Sequence, residues 1–135
     1  MNMRILVVAV VISCAMTGCA TVQQSGAGAA TTVQKTVSAR AEARWQTLIA
    51  KDLDKAYEFL SPGSKAANPL AIYKAKIKPL DWRSAKVVAA DCDNDKCSVK
   101  LNLSFVHQRA GGEIATIIEE TWIKDSGSWW FVFNG

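Results

Sequence analysis

The sequence predicts an α+β domain in which N-terminal helices cover one face of a four-stranded antiparallel meander. Three observations carry that expectation. Between residues 35 and 77 apolar side chains recur at helical spacing, after Trp82 the period shortens to two, and three short turn-forming stretches cut the second half into strands.

Val37, Ala41, Trp45, Leu48 and Ile49 set a first helix over about 35–50, with Lys35, Arg40, Glu42 and Arg44 placed elsewhere around the wheel. Asp52 reads as the cap of a short second helix whose apolar side is Leu53, Ala56, Tyr57 and Leu60. Ser61-Pro62-Gly63 reads as its terminator. Asn68-Pro69, a cap residue followed by proline, opens a third helix with Leu70, Ile72, Tyr73 and Ile77, stopping before Pro79.

Arg83 to Cys92 reads as the first strand and Asp93-Asn94-Asp95-Lys96 as its turn. Cys97, Val99, Leu101, Leu103 and Phe105 then alternate with Ser98, Lys100, Asn102 and Ser104, the mark of a half-buried strand. Gly111-Gly112 turns the chain into Glu113–Lys124, and Asp125-Ser126-Gly127-Ser128 turns it into Trp129–Phe133. Three helices are the only cover available for the apolar face of that sheet.

The N-terminus has a different character. Arg4 precedes a twelve-residue apolar run, Ile5 to Met16, and Thr17-Gly18 closes on Cys19. Charged, apolar, then small is the order of a secretory signal, and the run is short of the ~20 residues a membrane-spanning helix needs. Met16-Thr17-Gly18-Cys19 resembles the bacterial lipobox, in which a small-residue approach lets the cysteine take a diacylglyceryl thioether. The resemblance implies a signal peptide over 1–18 and a lipidated Cys19, with ordinary cleavage after Ala20 or a lipobox ending at Cys14 as the alternatives. Ala20 behind the cysteine implies sorting to the outer membrane, facing the periplasm. Several acyl chains, palmitate among them, at ~0.8 kcal/mol per buried methylene make such an anchor effectively permanent. Residues 20–34 carry no charge and little bulk, so 19–34 reads as a tether of ~20 Å r.m.s. span, and 35–135 as the domain.

Sixteen Lys and Arg stand against twelve Asp and Glu, and removal of Arg4 leaves fifteen against twelve. That excess is too small to argue for nucleic acid. The local run Lys74, Lys76, Lys78, Arg83 and Lys86 reads as a solvated face, with an anionic lipid or glycan patch as the other reading. Of four cysteines, Cys14 leaves with the signal and Cys19 takes lipid, so Cys92 and Cys97 remain in a compartment that permits disulfides. Only His107 is left to complete a zinc set, and the spacing is not C-x-x-C, so a structural disulfide across the first hairpin is expected.

Trp45-x-x-Leu48, Asp52, Ala56-Tyr57-x-Phe59-Leu60-Ser61-Pro62, Glu120-Thr121-Trp122 and Gly127-x-Trp129-Trp130-Phe131-Val132 together resemble the nuclear transport factor 2-like superfamily, over roughly residues 36–135. The resemblance implies a cone-shaped fold with a pocket between curved sheet and helices. Members of that superfamily include isomerases, dehydratases, binding modules and assembly subunits, and fold does not choose among them.

A pocket isomerase needs a carboxylate base with a proton donor opposite it. Asp52 reads as a cap instead. Glu119 and Glu120 are adjacent on a strand, so one faces inward, as a base or paired with Arg109 or Lys100. His107 reads as a strand-end histidine or as a residue of the pocket mouth. Asp91-x-Asp93-x-Asp95 has the opening of a calcium loop, but Lys96 stands where glycine is wanted and Asn102 where the distal glutamate is wanted, so it reads as a solvated turn. Trp129 and Trp130 must face opposite ways, and the outward one marks a partner surface or the lip of a groove. The residues expected at a pocket or partner surface are thus Tyr57, Tyr73, His107, Glu120, Trp122 and Trp130. No catalytic, cofactor or metal set is expected. The functional expectation is a lipid-anchored envelope module, without an enzymatic activity, that binds a partner protein or a small apolar ligand. A pocket isomerase or dehydratase and a scaffold subunit of an envelope or secretion complex are the alternatives.

Overall fold

Four helices precede four antiparallel strands in sequential order, an α+β layer structure with an open sheet. The computed structural model describes residues 30–78 and 80–135. The signal segment 1–18, Cys19 and the tether up to residue 29 lie outside the described residues.

Helix α1 (Thr32–Ile49) starts three residues before its apolar pattern does. Thr31 Oγ1 accepts from the Gln34 N–H at 3.2 Å, and the Gln34 side chain accepts from the Thr31 N–H at 2.7 Å. This capping box fixes the start inside the uncharged stretch expected to be tether. The face turned to the sheet is Val37, Ala41, Arg44, Trp45 and Leu48. Arg44 is therefore not on the solvent side of the wheel, as expected, but buried.

Helix α2 (Leu53–Glu58) is capped by Asp52, whose carboxylate accepts from the Lys55 N–H and lies 2.8 Å from its ammonium. The side-chain hydrogen bond from Lys55 holds that carboxyl below its ordinary range. The expected terminator does the opposite of stopping a helix. Ser61 caps helix α3 (Pro62–Ala67), with Pro62 in the first turn where its missing N–H costs nothing. Asn68 consequently closes α3 rather than opening the next helix, and Pro69 stands at the start of α4 (Leu70–Lys76).

Strands β1 (Asp81–Asp93), β2 (Lys96–His107), β3 (Gly112–Asp125) and β4 (Ser128–Phe131) pair in the order β1-β2-β3-β4. The first turn is two residues, not four: Asp93 still pairs with Lys96, and Asn94 takes φ 49°, the left-handed region the primed hairpin turns demand. That register sets Cys92 directly against Cys97. The second connection is longer than a diglycine turn, since Gln108–Ala110 forms a 3-10 turn before Gly111 at φ 71°. The last strand ends at Phe131 rather than Phe133, and on its side away from β3 the Phe131 N–H donates to the Phe59 carbonyl while the Phe131 carbonyl accepts from Ser61 N–H. Segment 59–61 thereby closes the outer side of β4, through a parallel bridge at Leu60.

Two register shifts in β1, between Trp82 and Ser84 and between Val87 and Ala89, each leave one residue unpaired. Such bulges bend a strand and increase its twist, here around α1. The core lies between α1 and the inward positions Val99, Leu101, Leu103, Trp122 and Phe131, with Leu60 and Tyr73 closing it from the short helices.

Candidate functional site

Period-two alternation puts Glu120 and Trp122 on the inward face of β3 and Glu119 on the outward one. Glu120 is 4% exposed and meets Arg44, 3% exposed, at 2.6 Å. Its Oε1 also accepts from Trp45 Nε1 at 2.7 Å, and its Oε2 from Trp122 Nε1 at 3.0 Å. The expected partners were strand neighbours, Lys100 or Arg109. The helix supplies the cation instead, because the inward face of a strand, where Glu120 pairs with Val99, looks at the covering helix, while Lys100 and its register partner Glu119 look outward. Arg44 also stacks over Phe131, its guanidinium carbon 3.7 Å from the ring centre, the flat cation over the negative ring face. This cluster borders a 280 Å³ hollow with Ile118, Phe133 and Asn134 on its wall.

Tyr73 is fully buried, packed on Tyr57 at 5.4 Å and on Phe133 at 5.1 Å. Burial pushes its phenol above the ordinary range, a shift that nearby Arg44 opposes. No hydrogen bond closes to its hydroxyl, nor to Arg44 Nε.

Three of the six expected site residues, Tyr73, Glu120 and Trp122, thus converge on Arg44, but as core. Trp122 and Tyr73 are wholly enclosed and offer a partner nothing. Tyr57 is half-buried beside them. His107 is elsewhere: exposed at the end of β2, its Nδ1 accepts from Ala110 N–H and stabilises the 3-10 turn. Trp129 is buried and Trp130 faces outward, as their adjacency requires. Trp130 is half-covered, with Arg40 and Lys65 both about its ring at 5.5 Å. Asp91 and Asp93 lie on a paired strand and Asp95 in a two-residue turn, so no twelve-residue loop exists there.

An apolar hollow of 190 Å³ opens at the far end of α1. Leu48, Leu53, Ile77, Leu80 and Trp82 line it, with Lys51 and Lys74 beside its mouth. Trp82 stands edge-on to Trp45 at 5.2 Å, which fixes the inner wall. The sequence reading did not assemble this site. Its lining comes from α1, α2, the end of α4 and the start of β1, each contributing one or two unremarkable apolar positions.

The fold has counterparts among solved structures. A SEC-C motif containing protein from Rhodopseudomonas palustris superposes with a TM-score of 0.58 at 19% identity, over 70% of this chain and 73% of that one. Another, from Psychrobacter arcticus, gives 0.61 at 16% identity, over 75% of this chain and 60% of its own. These likenesses concern the fold alone. No family model matches the chain, and no curated protein does. The nuclear transport factor 2-like resemblance is corrected by the same finding, since the neighbours are SEC-C motif proteins. The residues that carried it explain the error: Trp45, Tyr57, Trp122 and Trp129 are buried or half-buried packing positions, which any helix-on-sheet domain fills with large side chains.

Proposed function

We propose that this chain is a lipid-anchored protein of the bacterial cell envelope whose folded domain binds rather than catalyses, taking a small apolar ligand in the hollow between α1, α2, α4 and β1. The observation that carries the reading is the lining of that hollow, five apolar side chains with two ammonium groups at the rim. Its 190 Å³ is below the ~300–1,000 Å³ of sites for drug-sized ligands, so the occupant is short, an acyl tail or a single ring. Lys51 is 70% exposed and only loosely paired with Asp81 at 3.8 Å, free to meet an acidic head group.

The isomerase or dehydratase alternative asks for an inward carboxylate with a lone pair to spare. Glu120 accepts three donors, one of them the guanidinium of Arg44, and an ion-paired carboxylate is a weak base, so the binding reading is preferred. The anchor rests on Met16-Thr17-Gly18-Cys19, and no helix among the described residues is long and apolar enough to cross a membrane.

Titration with octanoate, followed by Trp fluorescence and by NMR shifts, tests the pocket. The expected result is saturable change at Leu53, Ile77, Leu80 and Trp82, weakened at least tenfold in Leu80→Glu. Leu80 is 45% exposed, so that change puts a charge at the mouth without emptying the core. Shifts scattered over the surface, or undiminished binding by the variant, would reject the site.

A further inference from the structure

The two outer edges of the sheet are finished differently. Along β1 the edge is broken by two bulges, Val87 N–H donates to Glu42 Oε1 at 3.0 Å, and Ala90 carbonyl accepts from Gln34 Nε2 at 2.9 Å. Bulges and covering side chains are how a sheet blunts an edge. The opposite edge is β3, and β4 pairs only with Trp122–Asp125 of it. Val132 N–H then caps the Thr121 carbonyl at 2.9 Å, and the chain leaves. Among the described residues, Gly112 to Glu120 has no neighbour on that side.

The hydrogen-bonding direction of this free stretch follows from two contacts. Thr121 turns its carbonyl to the β4 side, while Lys124 turns its N–H the other way, to Asp95 at 2.8 Å. Alternation along an antiparallel strand then aims the backbone groups of Glu113, Ala115, Ile117 and Glu119 outward from the sheet. Every residue from Gly111 to Ile117 is exposed, and β3 pairs with β2 without a register shift, so the edge is straight. It is also rich in β-branched residues, with Ile114 at 39% and Ile117 at 56% exposure, one on each face.

We propose that this edge receives an extended segment of a partner protein as a fifth strand, a segment of apolar and β-branched residues flanked by Lys or Arg. Main-chain hydrogen bonds supply affinity in such strand addition, and side chains supply choice. Charge selects the occupant. Glu113 and Glu119 stand on the outward face of the edge, six positions and about 20 Å apart; Glu119 Oε1 accepts from Ser98 Oγ at 2.6 Å and Lys100 is its register partner on β2, so Glu113 is the less engaged of the two. A basic residue near each end of the incoming strand meets one of them. A second copy paired in the register that overlaps the whole free stretch, centred on Thr116, is poorly matched, because it sets Glu113 against the Glu119 of the other chain, and like charges directly opposed disfavour a pair. The interface is separate from the apolar hollow and does not depend on a ligand there.

Hydrogen exchange of the full chain tests this with a synthetic seven-residue peptide of alternating valine and threonine between a lysine at each end, six positions apart like Glu113 and Glu119, beside a twin bearing glutamate. The lysine peptide should slow exchange of the Ala115 and Ile117 amides at least tenfold, and the twin should leave them unchanged. Ile117→Pro removes an outward N–H that the ladder does not use, so it should abolish binding while unfolding stays cooperative. Should that variant fail to fold, the double change Glu113→Lys and Glu119→Lys should transfer the preference to the glutamate peptide. Protection by neither peptide, or equally by both, overturns the proposal. So does protection that grows with protein concentration alone, which would assign the edge to a second copy.

Discussion

Arg44 and Glu120 show what one buried pair demands of its neighbours. Taking two charges from water costs several kcal/mol each, and their attraction offsets this only when the remaining hydrogen-bonding capacity is met. Trp45 and Trp122 meet it on the carboxylate side, while Arg44 Nε has no hydrogen-bond partner among the described residues. Removing one partner leaves the other charge stranded. Glu120→Gln and Arg44→Met should each destabilise the fold by about 3–5 kcal/mol. The double variant should be less destabilised than the sum, since the Gln Oε1 still accepts from one indole and no charge is left over. Thermal or urea unfolding of the four proteins closes the cycle, and strict additivity would show that the two side chains do not act as a unit. Arg44 was legible in principle: 37, 41, 44 and 48 follow the 4-3-4 spacing of one helical face. Its charge argued it off that face, and nothing local to the helix names a carboxylate 76 positions away.

Elements were legible in proportion to how local their causes are. The β-alternation of 97–105 and the cap at Asp52 depend on nearby residues, and both formed as expected. Ser61-Pro62-Gly63 was misread because Pro stops a helix and also starts one, and only the tertiary position of Ser61, held by the Phe131 carbonyl, selects the second role. The first hairpin tightened to Asn94-Asp95 for a similar reason, since the pairing of β1 with β2 extends to Asp93 and Lys96. With Cys92 and Cys97 in direct register on that hairpin, a disulfide between them is expected in the exported protein. Mass spectrometry after alkylation, with and without reduction, measures it; two alkylated thiols before reduction would count against it. The loop closed is short, so Cys92→Ser with Cys97→Ser should cost less than the ~3 kcal/mol of a fifteen-residue loop. Its larger effect is on register, because a slip of one residue would turn Val99, Leu101 and Leu103 to solvent.

For the whole molecule, α1 sets an axis about 27 Å long. The chain enters at its Thr32 end, beside the β1–β2 hairpin, where Gln34 reaches Ala90. The apolar hollow opens at the Leu48 and Lys51 end. The basic run is solvated, as expected: Lys74, Lys76, Lys78, Arg83 and Lys86 are all exposed, with Lys74 reaching Asp54, Lys76 reaching Asn68 and Lys86 approaching Glu42. Metabolic labelling with a fatty-acid probe tests the anchor: wild type should label, and Cys19→Ser should lose the label and leave the membrane fraction. Undiminished labelling of the variant would reject lipidation at that residue.

The sequence alone determined the class of the fold and the order of its sheet, because periodicity and turn residues act within a few positions of themselves. Trp129 and Trp130 had to part to opposite faces whatever else the chain did. Tertiary structure decided everything that depends on distant segments meeting: Glu120 as the counter-charge of Arg44, the hollow assembled from four elements, and the reach of β4 along β3. Beyond Trp122 only the Val132 N–H still reaches β3, at the Thr121 carbonyl. On its other side β4 is joined through Phe131 to Phe59 and Ser61, and no residue near Phe131 in the chain announces those distant partners.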